Sequence, residues 1–354
     1  MEGEIHNFIV VWAIVLTSLC YCHTIVKFFP NGKSRFVAII PIVCLFFILP
    51  LYLTSINLGA TTSFFIAWLA NFKILLFAFG KGPLSSTPPL SLSTFIPLAC
   101  LPIKFKTSST NTTQKSKNST LNLVTKIALL AILIRVYYNY KAHLHPNIVL
   151  FLYCFHIYFS LEIILTMVST MIRVVSQVEL APPSDEPYKT SSLQDFWGKR
   201  WNLMVTNILH PTIYVPVRSM MADKISRKWA PLPAVLATFV VSGLMHELIF
   251  YNFGRLKPSG EVTCFFIIHG VALTVEIMTK KLLNGKVLVP KIISGPLTLG
   301  FIIFTSFWLF FPPFLRGKAE VKACTEFMAF LEFAKCGKLV SPTNVTCPLL
   351  LDYY

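Results

Sequence analysis

Two short phrases, Leu193 to Asn202 (LQDFWGKRWN) and Ser242 to Leu248 (SGLMHEL), set polar and ionisable side chains beside or inside membrane-grade apolar sequence. A charged group at the centre of a bilayer costs about 2.5 to 3.5 kcal/mol on insertion scales, so an intramembrane ionisable residue is a functional candidate by default. His246 and Glu247 form the only ionisable pair within the apolar run Leu232 to Phe253. A neutral imidazole is well suited to taking a proton from a hydroxyl near neutral pH, and Glu247 is the expected group to orient it and fix its tautomer. Ser242 and Gly243 lie one turn earlier on the same side, where their small side chains leave room for a neighbouring helix or a ligand. The other reading is that His246 is packing glue, bonded to Glu247 or to another helix. The residues alone leave both readings open.

The first phrase has helical spacing: Leu193, Phe196, Trp197, Trp201 and Met204 fall on one face, and Gln194, Asp195, Lys199, Asn202 and Thr206 on the other. This predicts an amphipathic helix at the membrane interface, with tryptophans at headgroup level and Asp195 pairing with Lys199. An interfacial anchor and a catalytic element remain equal readings. His156, Glu162, His269 and Glu276 also fall in apolar runs. A satisfied interhelical hydrogen bond is the expectation for each, although His269 and Glu276, two turns apart, could share one channel. Familiar catalytic patterns fail on inspection. No second histidine follows His246 at HExxH spacing, no GxSxG elbow exists, HxxxD fails at His145, His246 and His269, and no Gly-rich loop cradles a nucleotide. There is no CxxC pair, and no metal site is expected.

The elements that must carry these residues are membrane helices. The 354-residue chain is 55% hydrophobic and only 13% charged, against about 25% charged in soluble domains. Apolar runs long enough to cross the hydrocarbon core occur at Phe8 to Val26, Phe36 to Leu53, Ser63 to Phe79, Leu121 to Tyr138, Ile148 to Ile172, Leu232 to Phe253, Val262 to Met278 and Ile292 to Phe314. The expected fold is an all-α polytopic membrane bundle of about eight or nine transmembrane helices with interfacial and re-entrant segments. It forms a single membrane-embedded domain over 1–354, with a basic cytosolic loop at 104–120, an amphipathic segment at 173–230 and a tail at 316–354. The first run has no basic region before it and no cleavage site, and is read as a retained helix.

The surplus of 16 positive charges lies largely beside apolar runs, where it is a topology signal and not a nucleic-acid interface. Lys27, Lys33, Arg35, Lys81, Lys104, Lys106, Lys115 and Lys117 mark cytosolic loops, so Leu90 to Ile103 should enter and return on one side. The same count puts the tail in the lumen, where two of Cys324, Cys336 and Cys347 are expected to pair. Arg316, Lys318 and Lys322 run against that assignment. No internal repeat supports an inverted-repeat transporter.

WLANFKILLFAFGKGPLS (Trp68 to Ser85), LYCFHIY (Leu152 to Tyr158), EPYKTSSLQDFWGKRWNLM (Glu186 to Met204), VSGLMHEL (Val241 to Leu248) and EVTCFFIIHG (Glu261 to Gly270) resemble the membrane-bound O-acyltransferase family, in particular its plant wax synthase branch. The resemblance implies a multi-pass endoplasmic reticulum enzyme that transfers an acyl group from acyl-CoA, as co-substrate and with no further cofactor, to a lipid hydroxyl within a membrane tunnel. The product is a wax ester from a long-chain fatty alcohol. Sterol and diacylglycerol acylation are the alternatives inside the branch, and a lipid or ion transporter the alternative outside it. The family's membrane histidine maps onto His246 and its motif asparagine onto Asn202. Lys199, Arg200 and Trp201 are then candidates for acyl-CoA contact, and Ser242, Gly243, Trp197 and His269 for the tunnel. Trp197, Lys199 and Arg200 replace the Tyr, Asp and first Trp of the wider family's phrase, so the acceptor stays open. Membrane lipids and a second copy of the chain are the further partners considered.

Overall fold

The computed structural model describes residues 2–26, 28–101, 112–140, 143–176, 184–284, 289–337, 340–345 and 347. In chain order the helices are α1 (Glu2–Ile25), α2 (Lys33–Ile48), α3 (Ile56–Thr62), a π-helix (Ser63–Ala70), α4 (Asn71–Ala78), α5 (Leu92–Cys100), α6 (Thr112–Tyr140) and α7 (Pro146–Ser176). There follow α8 (Leu193–Asp195), a π-turn (Phe196–Arg200), α9 (Leu203–Leu209), α10 (Val215–Lys224), α11 (Pro231–Gly254) and α12 (Glu261–Leu282). The chain ends with α13 (Lys291–Thr305), a π-turn (Ser306–Phe310), α14 (Phe311–Arg316) and α15 (Ala319–Cys336). Among the described residues there is no strand.

Among the described residues seven helices are long and apolar enough to cross a membrane, and they match seven of the eight expected runs. The eighth run, Leu121 to Tyr138, lies in α6, whose side chains are described only in part. Helix α6 begins at Thr112, inside the expected basic loop, while Lys104, Lys106 and Asn111 fall outside the described residues. Helix α5 has nine residues, which at 1.5 Å per residue makes roughly half of a 30 Å crossing. It is too short to span, in line with a segment that enters and returns.

The chain divides into two compact units. The first comprises 1–101, 205–288 and 309–351. Its innermost element is the continuous rod of α3, the π-helix and α4, in which nearly every side chain from Ser63 to Ala70 is buried. Helix α1 buries Val11, Val15, Leu19 and Cys22 on one stripe and exposes Ile9, Val10 and Ile14 on the other, the pattern of a helix with protein on one side and lipid on the other. Lys73 in α4 is 2% exposed. Its ammonium donates to the carbonyls of Leu98 (2.6 Å) and Leu101 (2.5 Å), closing the end of α5.

Helices α1 and α15 both meet the turn before α3. The Glu4 carboxylate accepts from Thr54 N and Ser55 N, and Glu326 in α15 accepts from Ile56 N, Asn57 N and Ser55 Oγ. These are donors that a helix N-terminus leaves unmatched. Arg255, just past α11 at φ 53, donates to the carbonyls of Leu51 (2.9 Å) and Leu53 (2.8 Å). Cys324 and Cys347 form a disulfide and Cys336 is free, the one-bridge outcome expected for the tail.

The second unit comprises 102–204, 289–308 and 352–354. Lys126 of α6 and Glu162 of α7 pair at 2.6 Å, an interhelical bond of the kind expected for Glu162. Glu276 in the first unit instead bonds Lys280 one turn along α12, at 2.5 Å.

The amphipathic helix expected over Leu193 to Thr206 does not form as one piece. Helix α8 widens into the π-turn, whose Trp201 N to Phe196 O bond spans five residues, and Trp201 turns extended. Asn202 follows at φ 38, a left-handed conformation that asparagine tolerates better than most residues. The five-residue step also changes the ion pair. Asp195 meets Arg200 at 2.7 Å, and not Lys199, which is exposed.

Candidate functional site

His246 lies in the second half of α11, where the helix packs along α12. Close packing follows from glycine on both helices. A Cβ at Gly243 would lie 3.0 Å from the Thr263 Cα, and one at Gly270 would lie 2.8 Å from the Phe239 Cβ. The room that Ser242 and Gly243 leave is thus filled by α12, the neighbouring-helix half of the expectation.

The His246 Nδ1 is 2.8 Å from the Ser242 carbonyl oxygen. A carbonyl oxygen only accepts, so Nδ1 carries the proton and donates, and in the neutral ring Nε2 is the basic nitrogen. The backbone of its own helix therefore holds the imidazole. Glu247 has a different partner: its Oε1 accepts from Thr263 N at 3.2 Å, in the first turn of α12. Adjacent residues on a helix do not face each other, which is why the carboxylate expected to orient the ring caps α12 instead. Glu247 also lines a cavity of about 490 Å³ walled by Phe250, Tyr251, Leu256, Pro313 and Arg316. Arg316 forms an ion pair with Glu261 beside it.

Aromatic rings enclose the imidazole. Phe266 stacks on it with centroids 4.3 Å apart, Trp68 meets it edge-on at 4.9 Å, and Phe310 lies at 6.1 Å. The rings leave His246 half-buried, with one ring face, that of Phe266, laid against the imidazole. Asn252, lower on α11, donates to Ser63 Oγ at 2.7 Å and ties α11 to the start of the π-helix that carries Trp68. His269 is fully buried in α12, 4.3 Å from the Phe265 ring. No group of three or more His, Cys, Asp or Glu suited to a metal ion occurs among the described residues.

Trp197, Lys199, Arg200, Trp201 and Asn202 all belong to the second unit. Trp201 stacks on Phe196, with centroids 5.5 Å apart and planes 13° from parallel, and lies 6.2 Å from Tyr158. Trp197 packs edge-on against Phe196 at 5.1 Å. Arg200 is committed within the unit to Asp195, to the Asp185 carbonyl (3.2 Å) and to the Glu186 carbonyl (3.4 Å). Burial pushes the Asp195 carboxyl up, but hydrogen bonds from Arg200 and Ser191 outweigh it and hold the group below its ordinary value of 3.8. Trp68 and Phe266 carried no separate signal in sequence. Both stand inside phrases that bear the family resemblance, and only their place against His246 singles them out.

Fold and site together define a polytopic membrane enzyme with a histidine held by its own helix in an aromatic enclosure. The chain belongs to the membrane-bound O-acyl transferase family: the family's profile matches residues 180–268, and relatives align along nearly the whole chain. Acyl-CoA–sterol O-acyltransferase 1 of Arabidopsis thaliana is 46% identical over 93% of this chain and 96% of its own length. The long-chain-alcohol O-fatty-acyltransferase of Simmondsia chinensis is 40% identical over 95% of this chain and 97% of its own. Probable long-chain-alcohol O-fatty-acyltransferase 1 of Arabidopsis thaliana is 40% identical, over 95% and 98%.

Proposed function

We propose that the chain is an acyl-CoA-dependent O-acyltransferase of the endoplasmic reticulum membrane that esterifies a long-chain fatty alcohol to a wax ester. The observation that carries the chemistry is the 2.8 Å bond from His246 Nδ1 to the Ser242 carbonyl, which leaves Nε2 to act as base. Nε2 takes the hydroxyl proton while the alcohol oxygen attacks the thioester carbon. The C–S bond then breaks and CoA leaves as thiolate, taking the proton back from the imidazolium. No acyl-enzyme is required: His246 bonds the backbone carbonyl of Ser242 and not its hydroxyl, so no base-activated nucleophile stands beside it among the described residues. Asn202 acts on the acyl donor, a role that rests on the family's motif. Acyl-CoA is the co-substrate, and no other cofactor takes part.

The alcohol acceptor is supported by relatives named for it at 40% identity over almost their full length. A sterol acceptor is the second reading, favoured by the 46% identity to a relative named for sterol acylation. Microsomes from cells expressing the chain, given labelled acyl-CoA with fatty alcohols, sterols and diacylglycerols in turn, decide between them. Labelled wax ester supports the first reading and steryl ester the second. No ester with any acceptor removes both.

A further inference from the structure

Trp68 is 1% exposed, and its indole Nε1–H meets no hydrogen-bond acceptor among the described residues. An indole nitrogen only donates, and a buried donor left unmatched costs about 1 to 3 kcal/mol. A purely structural tryptophan in the same unit avoids that cost: Trp12 Nε1 donates to Thr62 Oγ1 at 3.3 Å. Trp68 also sits in the π-helix, a locally widened coil of a kind frequent at functional sites. Its ring edge-packs against the imidazole of His246 with planes 83° apart. An unmatched donor, an uncommon backbone form and contact with the candidate base thus coincide at one residue.

We infer that Trp68 is a further catalytic residue, whose Nε1–H donates to the carbonyl oxygen of the acyl thioester while the acceptor oxygen attacks. The inference rests on the acyl-transfer reading above. As the C–O bond forms, the carbonyl electron pair moves onto its oxygen, and the indole N–H stabilises the developing charge. When the carbonyl re-forms, the C–S bond breaks, the electron pair leaves on sulfur and the proton held by His246 goes to the thiolate. Trp68 keeps its own proton throughout. The bond is worth most in the transition state, because the oxygen is most negative there.

The test replaces Trp68 with benzothienylalanine, which keeps the fused rings and carries sulfur where the N–H was, beside the simpler Trp68→Phe. Both are assayed in microsomes with labelled acyl-CoA and the acceptor that the wild type uses. The expected result for benzothienylalanine is a fall in kcat of about 100 to 1,000-fold, with KM for acyl-CoA and protein abundance unchanged. Full turnover by that variant, or a loss confined to abundance or KM, overturns the inference, and it decides the matter even if Trp68→Phe fails to fold. Both outcomes presuppose ester formation by the wild type. If the wild type forms no ester with any acceptor, the acyl-transfer reading falls and takes this inference with it.

Discussion

The imidazole of His246 is held by the carbonyl oxygen of Ser242, one turn earlier on the same helix and 2.8 Å away. Because the holding group is backbone, the tautomer depends on the helix and not on any acidic neighbour. Removing the imidazole by His246→Ala is expected to lower ester formation per mole of protein by about 100 to 10,000-fold with membrane yield retained. Ser242→Ala, which keeps the carbonyl, is expected to leave the rate nearly intact. Near-normal turnover of His246→Ala would sink the mechanism.

Glu247 caps α12 through Thr263 N. Glu247→Ala is therefore expected to cost about 0.5 to 2 kcal/mol of stability, in the range of lost N-terminal helix caps. Glu247→Gln, which still offers an oxygen, should lose less. Thermal unfolding in detergent reads the difference. A shift in the pH–rate profile with no change in melting would instead assign Glu247 to orienting the imidazole.

Asn202 combines a motif position with a left-handed backbone at φ 38. Asn202→Gly fits that backbone without strain, whereas Asn202→Ala adds conformational cost. If the side chain serves the acyl donor in the transition state, both variants lose kcat and kcat/KM together. If only the backbone matters, Asn202→Gly stays active while Asn202→Ala loses yield.

The Asp195–Arg200 pair closes the segment 184–202. The Asp195 carboxyl is held below 3.8 in the folded chain. Its contribution to stability is accordingly complete above that value and lost as pH falls through the lower, folded one. Arg200→Gln should make the segment protease-sensitive already at neutral pH, whereas the wild type should become so only in acid below pH 3.8. Equal cleavage of both at neutral pH contradicts this account.

Of three sequons, Asn111 and Asn118 stand in the region assigned to the cytosol, and Asn344 stands near the Cys324–Cys347 bridge. Disulfides persist in oxidising compartments, so the bridge and a glycan at Asn344 would require the same side of the membrane. Any endoglycosidase-sensitive shift is expected to vanish with Asn344→Gln. One that vanishes with Asn111→Gln or Asn118→Gln reverses the topology.

Much of this was legible because membranes enforce simple rules. Apolar length marked the spans, and an ionisable residue inside one marked His246. The small side chain of Gly243 marked a point of close approach, and α12 is the element that lies there. Other features carry no period. The π-turn at Phe196–Arg200 moved the partner of Asp195 from Lys199 to Arg200, and the left-handed Asn202 ended a face that ran on in sequence. Glu247 is a neighbour of His246 along the chain but bonds a different helix. Trp68 was invisible within an apolar run, since an unmatched indole is a property of what surrounds it and not of its spacing.

The Glu326 carboxylate reaches the backbone of Ile56 across 270 residues of sequence. A chain is made from its N-terminus, so the amides of Ile56 and Asn57 wait for their carboxylate until α15 has left the ribosome. The capping of this inner rod consequently awaits α15. A nascent chain stopped short of that helix would carry every candidate site residue and still lack the latch that seats the rod bearing Trp68. Quality control that surveys unlatched membrane segments would thus distinguish finished from unfinished copies at a point far along the chain from the chemistry.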